Sequence, residues 1–261
     1  MRPGGLLLAV DVGNTLTSFA VFRGEEILCR FDLPTRREAT GDSLASSLLP
    51  LLRSHGVEPG HISGMAACSV VPPLNRALRE FGERWLGREP VFVGPGSLPE
   101  GMLLVDNPSQ VGADRVANSV AAYERYRGAC IVVDFGTATT IDVVDSKGRY
   151  LGGAIAPGPE TAAKALSLAA AQLPPIPLSL PGRALGRNTV EAMQAGVMLG
   201  LCKLVDGLVA EYEGELGGVR GVIATGGLAP LLGPACRKVG EVDPDLTLKG
   251  VRLLFERTTG G

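Results

Sequence analysis

Histidine is almost missing from this 261-residue chain: His55 and His61 are its only two. A Ser-His-Asp triad or a His-rich metal centre therefore has little to draw on. Both imidazoles fall where a helix end and a loop are expected, so both are expected to face solvent. Cysteine is scarce in a different way. The five thiols, Cys29, Cys68, Cys130, Cys202 and Cys236, are odd in number, widely spaced and never arranged as C-x-x-C, which argues against a zinc site or redox motif and for buried free thiols. A strong charge of either sign is also lacking. The formal net charge is −2, with lysine and arginine scattered, so no basic stripe exists to neutralise a nucleic-acid backbone, and nucleic acid is not an expected partner. The apolar stretch Leu6–Val10 is far too short for a membrane span and no signal-peptide cleavage pattern follows it, so no membrane partner is expected and the cytoplasm is the expected location. Finally, neither G-x-x-x-x-G-K-[ST] nor G-x-G-x-x-G occurs, which closes the P-loop and dinucleotide-fold routes to phosphate binding.

What the chain does have is apolar material and turns. Hydrophobic residues are 45% and charged residues 20% of the sequence, enough for buried cores. The 36 glycines and 19 prolines follow no Gly-X-Y period and so mark tight turns and close backbone approaches. The length allows two domains of ordinary size.

A repeated unit supports that division. Leu6–Val10 is an apolar run ending at Asp-x-Gly, and Leu16–Arg23 resumes a strand pattern; Ile131–Val133 and Thr139–Val144 repeat the arrangement around a second Asp-x-Gly. Aligned on their aspartates, LLLAVDVGNTLTSFAVF and ACIVVDFGTATTIDVVD share a buried strand, a turn, hydroxyl-rich positions and a returning strand, as an internal duplication would. Helical spacing is expected over Asp42–His55, Leu74–Leu86, Val116–Tyr126, Thr161–Gln172 and Thr189–Glu213, the last long and amphipathic. Val219–Ala224 is expected as a strand leading into Thr225-Gly226-Gly227. The expected fold is α/β: two duplicated ribonuclease-H-like domains of the actin-like ATPase type, 1–127 and 128–261, with mixed five-stranded sheets flanked by helices and a nucleotide cleft that closes on ligand.

The turns carry the chemistry. Phosphoryl transfer needs backbone donors around the phosphates, carboxylates to hold a cation, and a group to orient the attacking hydroxyl. Asp11-Val12-Gly13-Asn14-Thr15 supplies a carboxylate at a strand end, a glycine that lets the backbone approach an anion, and amide and hydroxyl donors. Asp134-Phe-Gly-Thr-Ala-Thr-Thr140 supplies the same from the other half. One such turn is commonplace; two after matching strands, if they face one another across a cleft, would clamp a polyphosphate from both sides. Gly112-Ala113-Asp114-Arg115 opens a helix, where anions bind. There an arginine can pair with a substrate carboxylate and an aspartate can take a proton from a hydroxyl; a capping aspartate beside a surface arginine fits the same residues. Thr225-Gly-Gly227 can receive an adenosine or serve as a ligand-free strand-to-helix turn.

These motifs, with CSVVPPL from Cys68, NPSQVGADR from Asn107, DFGTATTID from Asp134, GGAIAPG from Gly152, QLP from Gln172, GRNT from Gly186 and TGG from Thr225, resemble the type III pantothenate kinases in number and order over nearly the whole chain. The resemblance implies ATP-dependent phosphorylation of pantothenate to 4'-phosphopantothenate, the first step of coenzyme A synthesis. It implies that Asp11, Val12, Gly13, Asn14, Thr15, Leu16, Thr17 and Ser18, together with Thr137, bind ATP. It further implies that Gly112, Ala113, Asp114 and Arg115 hold pantothenate, with Asp114 as proton acceptor. Asp134 would bind a monovalent cation, K+ or NH4+, and Asp11 would help hold Mg2+. Thr189 would touch pantothenate from the neighbouring subunit of a homodimer. Two positions depart from the family pattern: Val105 stands where members commonly carry a pocket-lining tyrosine, and Leu16 where they carry a polar residue. Two other readings share the fold: a catalytically silent accessory or regulatory protein, and an actin-like phosphatase or ATPase, which would need neither GADR nor GRNT.

Overall fold

The computed structural model describes residues 5–260 and contains two five-stranded sheets of the same strand order. In the first, β1 (Leu6–Val12), β2 (Leu16–Arg23), β3 (Glu26–Pro34), β4 (Ile62–Ser69) and β5 (Val91–Phe92) are arranged β3-β2-β1-β4-β5. β2 is antiparallel to its neighbours β1 and β3, whereas β4 runs parallel to β1 and β5. In the second, β6 (Cys130–Phe135), β7 (Ala138–Val144), β8 (Tyr150–Pro157), β9 (Gly221–Thr225) and β10 (Glu241–Val242) are arranged β10-β9-β6-β7-β8 with the same directions. Even an irregularity is duplicated: the register shifts between Val21 and Phe22 in one meander and between Val143 and Val144 in the other. Each central strand, β1 or β6, is buried almost throughout, which explains the unbroken apolar runs LLLAV and CIVV.

The helices begin where local chemistry allows. α1 (Gly41–Ser54) is capped by Thr40, whose hydroxyl accepts from Ser43 N at 3.2 Å while the Ser43 hydroxyl accepts from Thr40 N at 2.9 Å, a reciprocal capping box. Its buried face, Leu44, Ala45, Leu48 and Leu52, joins Leu8, Val10, Phe19 and Val21 of the sheet and Leu78 and Phe81 of α2 (Pro72–Phe81) in one core. Each leucine, valine or phenylalanine among them stabilises by roughly 1.5–3 kcal/mol when fully buried. The helix expected over Leu74–Leu86 starts two residues earlier, because Pro72 and Pro73 occupy its first turn, where no amide donor is needed. Its last five residues, Gly82–Leu86, widen into a π-turn.

In the second sheet's half, α4 (Pro159–Ala169) likewise starts on a proline, ahead of the expected Thr161. The long helix is continuous over Thr189–Leu216: α5 (Thr189–Gln194), a π-turn at Ala195–Leu199, and α6 (Gly200–Leu216). By length and composition this 28-residue helix could cross a membrane, yet Val197, Met198, Leu201, Cys202, Val205 and Val209 are buried in the core with Ile131, Val133 and Phe135. α7 (Ala229–Leu232) follows β9.

α3 (Ala113–Tyr126) and α8 (Leu246–Thr259) each follow the last strand of a sheet. They meet closely: a Cβ on Gly250 would lie 2.0 Å from Ala117 O, and Thr247 Oγ1 donates to Asn118 Oδ1 at 2.8 Å within the buried contact. Phe255 of α8 lies over Gly64 of β4, where a Cβ would approach its ring to 2.8 Å. The chain accordingly divides into two compact units. One comprises the described residues up to Glu100, Asp106–Ala121 and the chain from Thr247 onward; the other comprises Gly101–Val105 and Ala122–Leu246. This differs from contiguous halves, 1–127 and 128–261, because α8 packs on the first sheet's unit and α3 is shared.

Candidate active site

In the first unit the Asp-x-Gly turn is a four-residue connection between the paired residues Val12 and Thr17. Gly13 N donates to Leu16 O at 3.0 Å and Val70 N to Val12 O at 3.1 Å. Thr35, just past β3, pins the turn from the side: its N donates to Thr15 O at 2.9 Å and its hydroxyl to Gly13 O at 2.7 Å. With that proton committed, the 2.9 Å contact between the Thr35 and Thr17 hydroxyls has buried Thr17 as donor. Asn14, Thr15 and Leu16 are exposed at the tip, where their backbone amides can be offered to an anion. Leu16, one of the two departures noted above, is 47% exposed, and its carbonyl still closes the turn by accepting from Gly13 N.

Asp11 stands at the end of β1, opposite Ser18 on β2 and Cys68 on β4. Burial pushes its carboxyl up to about 7, opposed by a hydrogen bond from Cys68 and reinforced by the charge of Asp114. The Cys68 thiol donates to Asp11 Oδ1 at 3.2 Å, and burial together with the neighbouring carboxylates holds that thiol well above its ordinary range. Asp114, in the first turn of α3, is thus an electrostatic neighbour of Asp11 although 102 residues separate them in the chain. Its Oδ1 accepts from Arg115 N at 2.8 Å. Gly112 makes room for it: a Cβ there would lie 2.4 Å from that same oxygen. Gly112, Ala113, Asp114 and Arg115 are all partly buried. The first unit therefore brings the first turn, Asp11 and the GADR segment together.

The second unit repeats the turn one residue shorter, with Phe135 paired to Thr139 and Gly136 N donating to Ala138 O at 3.1 Å. Thr137 is exposed at the tip, and its carbonyl accepts from Gly158 N at 3.1 Å and from the Thr161 hydroxyl at 2.7 Å. Asp134, the penultimate residue of β6, pairs with Thr140 on β7 and Thr225 on β9. Gly226, at φ +91°, presses on it so closely that a Cβ would lie 2.4 Å from Asp134 Oδ1, which no other residue type permits. Thr140 donates to Asp142 Oδ2 at 2.8 Å and Tyr150 to Asp142 Oδ1 at 2.8 Å, so this fully buried carboxylate is satisfied from two sides. The Thr225 hydroxyl, equally buried, has no hydrogen-bond partner.

Val105 lies in the second unit, 3.6 Å from the position of a Cβ on Gly152. Thr189, also there, is exposed in the first turn of α5, behind the cap in which Asn188 Oδ1 accepts from Glu191 N at 2.9 Å. Both histidines are exposed and all five cysteines are free and buried. Sequence reasoning missed Thr35, the contact of Gly158 in GGAIAPG with the second turn, and the pairing of Cys68 with Asp11. Nothing local marks Thr35, which acts across 22 residues on Gly13. Recurrence was the available signal, since Pro34-Thr35 and Pro157-Gly158 close equivalent strands.

This duplicated architecture is found in solved kinases and their relatives. A glucokinase of the ROK family from Streptomyces griseus, solved with glucose and AMPPNP, superposes over 98% of this chain and 90% of its own, with TM-score 0.51 and 14% identity. A conserved Baf-family protein of Campylobacter jejuni, described as a transcriptional activator, matches over 97% of this chain and 100% of its own with TM-score 0.63 and 20% identity. At these identities the likeness establishes the fold alone, two domains each built on a mixed five-stranded sheet flanked by helices. Sequence is more specific. A family profile of the type III pantothenate kinases matches residues 7–211. The type III pantothenate kinase of Moorella thermoacetica is 45% identical over 97% of this chain and all of its own, and that of Anaeromyxobacter sp. (strain K) is 46% identical over 97% and 99%. The chain belongs to the type III pantothenate kinase family.

Proposed function

We propose that the protein transfers the γ-phosphoryl group of ATP to the hydroxyl of pantothenate, giving 4'-phosphopantothenate. The observation that carries this reading is the convergence, within one unit, of a pinned phosphate-type turn, the strand-end carboxylate of Asp11 and the helix-start Asp114-Arg115 pair. Backbone amides between Val12 and Ser18 bind the phosphates; Arg115 pairs with the pantothenate carboxylate beside Gly112 and Ala113; Asp114 accepts the hydroxyl proton as the phosphoryl group leaves ATP. Asp11 helps hold Mg2+, which shields charge on the transferring group.

Asp134 binds the monovalent cation, K+ or NH4+, and Thr137 adds an ATP contact. A hard cation fits the second turn: the buried, unpartnered Thr225 hydroxyl stands cross-strand from Asp134, and oxygen donors of this kind suit such ions. Thr189 contacts pantothenate across a homodimer, and Val105 lines a pocket lacking the usual tyrosine. The enzyme is cytoplasmic and works without nucleic acid or membrane; the apolar helix Thr189–Leu216 is a core element.

The test is pantothenate-dependent ADP release from ATP and Mg2+, with and without K+, beside Asp114→Asn. K+-stimulated turnover lost in the variant is the expected result. Nucleotide binding without ADP release under any cation would instead support an accessory protein.

A further inference from the structure

The motif beginning at Cys68 has no part in the mechanism so far, yet its first residue is the one side chain bonded to Asp11 among the hydrogen bonds of the described residues. Cys68 is fully buried, and its Sγ lies 3.2 Å from Asp11 Oδ1. The two residues are direct partners on the parallel strands β1 and β4, so backbone pairing fixes their separation. A thiol has one proton to give. Given to Oδ1, it biases the carboxylate's orientation, and Oδ2 carries no hydrogen bond among the described residues. The fold itself does not demand this tie, because the equivalent residue beside Asp134, Thr225, has a hydroxyl with no partner.

We propose that Cys68 is a positioning residue for Asp11, holding Oδ1 so that Oδ2 alone is presented to the divalent ion that accompanies ATP. The inference rests on the reading of Asp11 as a residue that addresses that ion. Partners of metal-binding carboxylates typically contribute 10–100-fold to metal affinity, and Cys68 falls in that class. Serine retains a donor but prefers a donor–acceptor distance of about 2.7–2.8 Å, shorter than the thiol's, so Cys68→Ser is an intermediate.

The experiment is Mn2+ binding in the presence of ADP, followed by the electron paramagnetic resonance of free Mn2+, on wild type, Cys68→Val, Cys68→Ser, Asp11→Asn and Cys68→Val/Asp11→Asn. The expected result is an affinity about tenfold weaker in Cys68→Val, substantial recovery in Cys68→Ser, and no further loss when Cys68→Val is added to Asp11→Asn. KM for pantothenate should not move. Wild-type Mn2+ affinity in Cys68→Val alongside a large loss in Asp11→Asn would overturn the positioning role and leave Asp11 in place. Unchanged affinity in both would overturn the reading of Asp11 itself. Should Cys68→Val fail to fold, Cys68→Ala makes the same comparison with a smaller side chain.

Discussion

Thr17 and Thr139 occupy equivalent places beneath the two Asp-x-Gly turns, each paired with the residue after the aspartate. Both are buried. Thr17 is bonded to the Thr35 hydroxyl, whereas the Thr139 hydroxyl has no partner. The cause is one residue of turn length. The four-residue first turn leaves space beside it that Thr35 fills. The three-residue second turn brings Gly136 O to 2.1 Å and Thr137 O to 2.6 Å from where a Cβ on Gly158 would sit, so the position equivalent to Thr35 must be glycine. The repeat is thus conserved in backbone and divergent in side chains, and the divergence is greatest around the aspartates: a thiol bonded to Asp11, an unpartnered hydroxyl and a left-handed glycine beside Asp134. Two turns of matching backbone thus surround their aspartates with different side chains.

The largest expected effects break that pairing at the aspartates. Asp11→Asn should lower turnover by roughly 10²–10³-fold, as removal of one strong electrostatic contact typically does, and should weaken divalent-ion binding with nucleotide. Asp134→Asn should instead abolish stimulation by K+ while Mn2+–ADP binding persists. Steady-state assays across K+ concentrations, run beside Mn2+ titrations, separate the two; identical phenotypes would show that the turns are not specialised.

Next come substitutions that impose one turn's solution on the other. Gly158→Ala should cost about 3 kcal/mol, the upper range for forcing atoms into a packed site, seen as a lowered urea midpoint. Thr17→Val and Thr139→Val should then part company. The first breaks a buried hydrogen bond and should destabilise by about 1 kcal/mol; the second removes an unsatisfied buried hydroxyl and should be neutral or stabilise by about 1 kcal/mol. Equal destabilisation by both would mean that the Thr139 hydroxyl does find a partner in solution.

The smallest effect lies at the far hairpin ends. Burial raises Asp145, but hydrogen bonds from Arg149 N, the Arg149 side chain and Lys147 N outweigh it and bring the carboxyl below its ordinary value of 3.8. A depressed folded-state value stabilises the protein above the unfolded value, and that contribution is lost as pH falls through the folded one. Stability should therefore drop below pH of about 4 in wild type and more shallowly in Asp145→Asn. The equivalent hairpin of the first unit, Arg23-Gly24-Glu25-Glu26, is exposed at all four residues and offers no such buried carboxylate. Urea unfolding at a series of acid pH values is the measurement.

Much of this was legible in the chain. Strand periodicity and the repeated Asp-x-Gly exposed the duplication, because buried central strands must be apolar and the same Asp-x-Gly follows each of them. The strands themselves extend two residues beyond the apolar runs, to Val12 and Phe135, since the aspartates still pair even though their side chains end the hydrophobic pattern. α8 was missed, although Leu246, Val251, Leu254 and Phe255 recur at helical spacing. Its place in the first unit was not readable at all, because Gly250 against Ala117 and Phe255 over Gly64 are contacts between residues more than a hundred positions apart. The same holds at the site. Local sequence determined which residues could bind phosphate, take a proton or hold a cation, for those capacities belong to the side chain and its turn. Tertiary structure alone decided that Asp114 lies near Asp11, that Cys68 ties one of its oxygens, and that Thr35 has a counterpart where no side chain fits. Those facts depend on strand register and helix packing, which bring distant residues within a few ångströms.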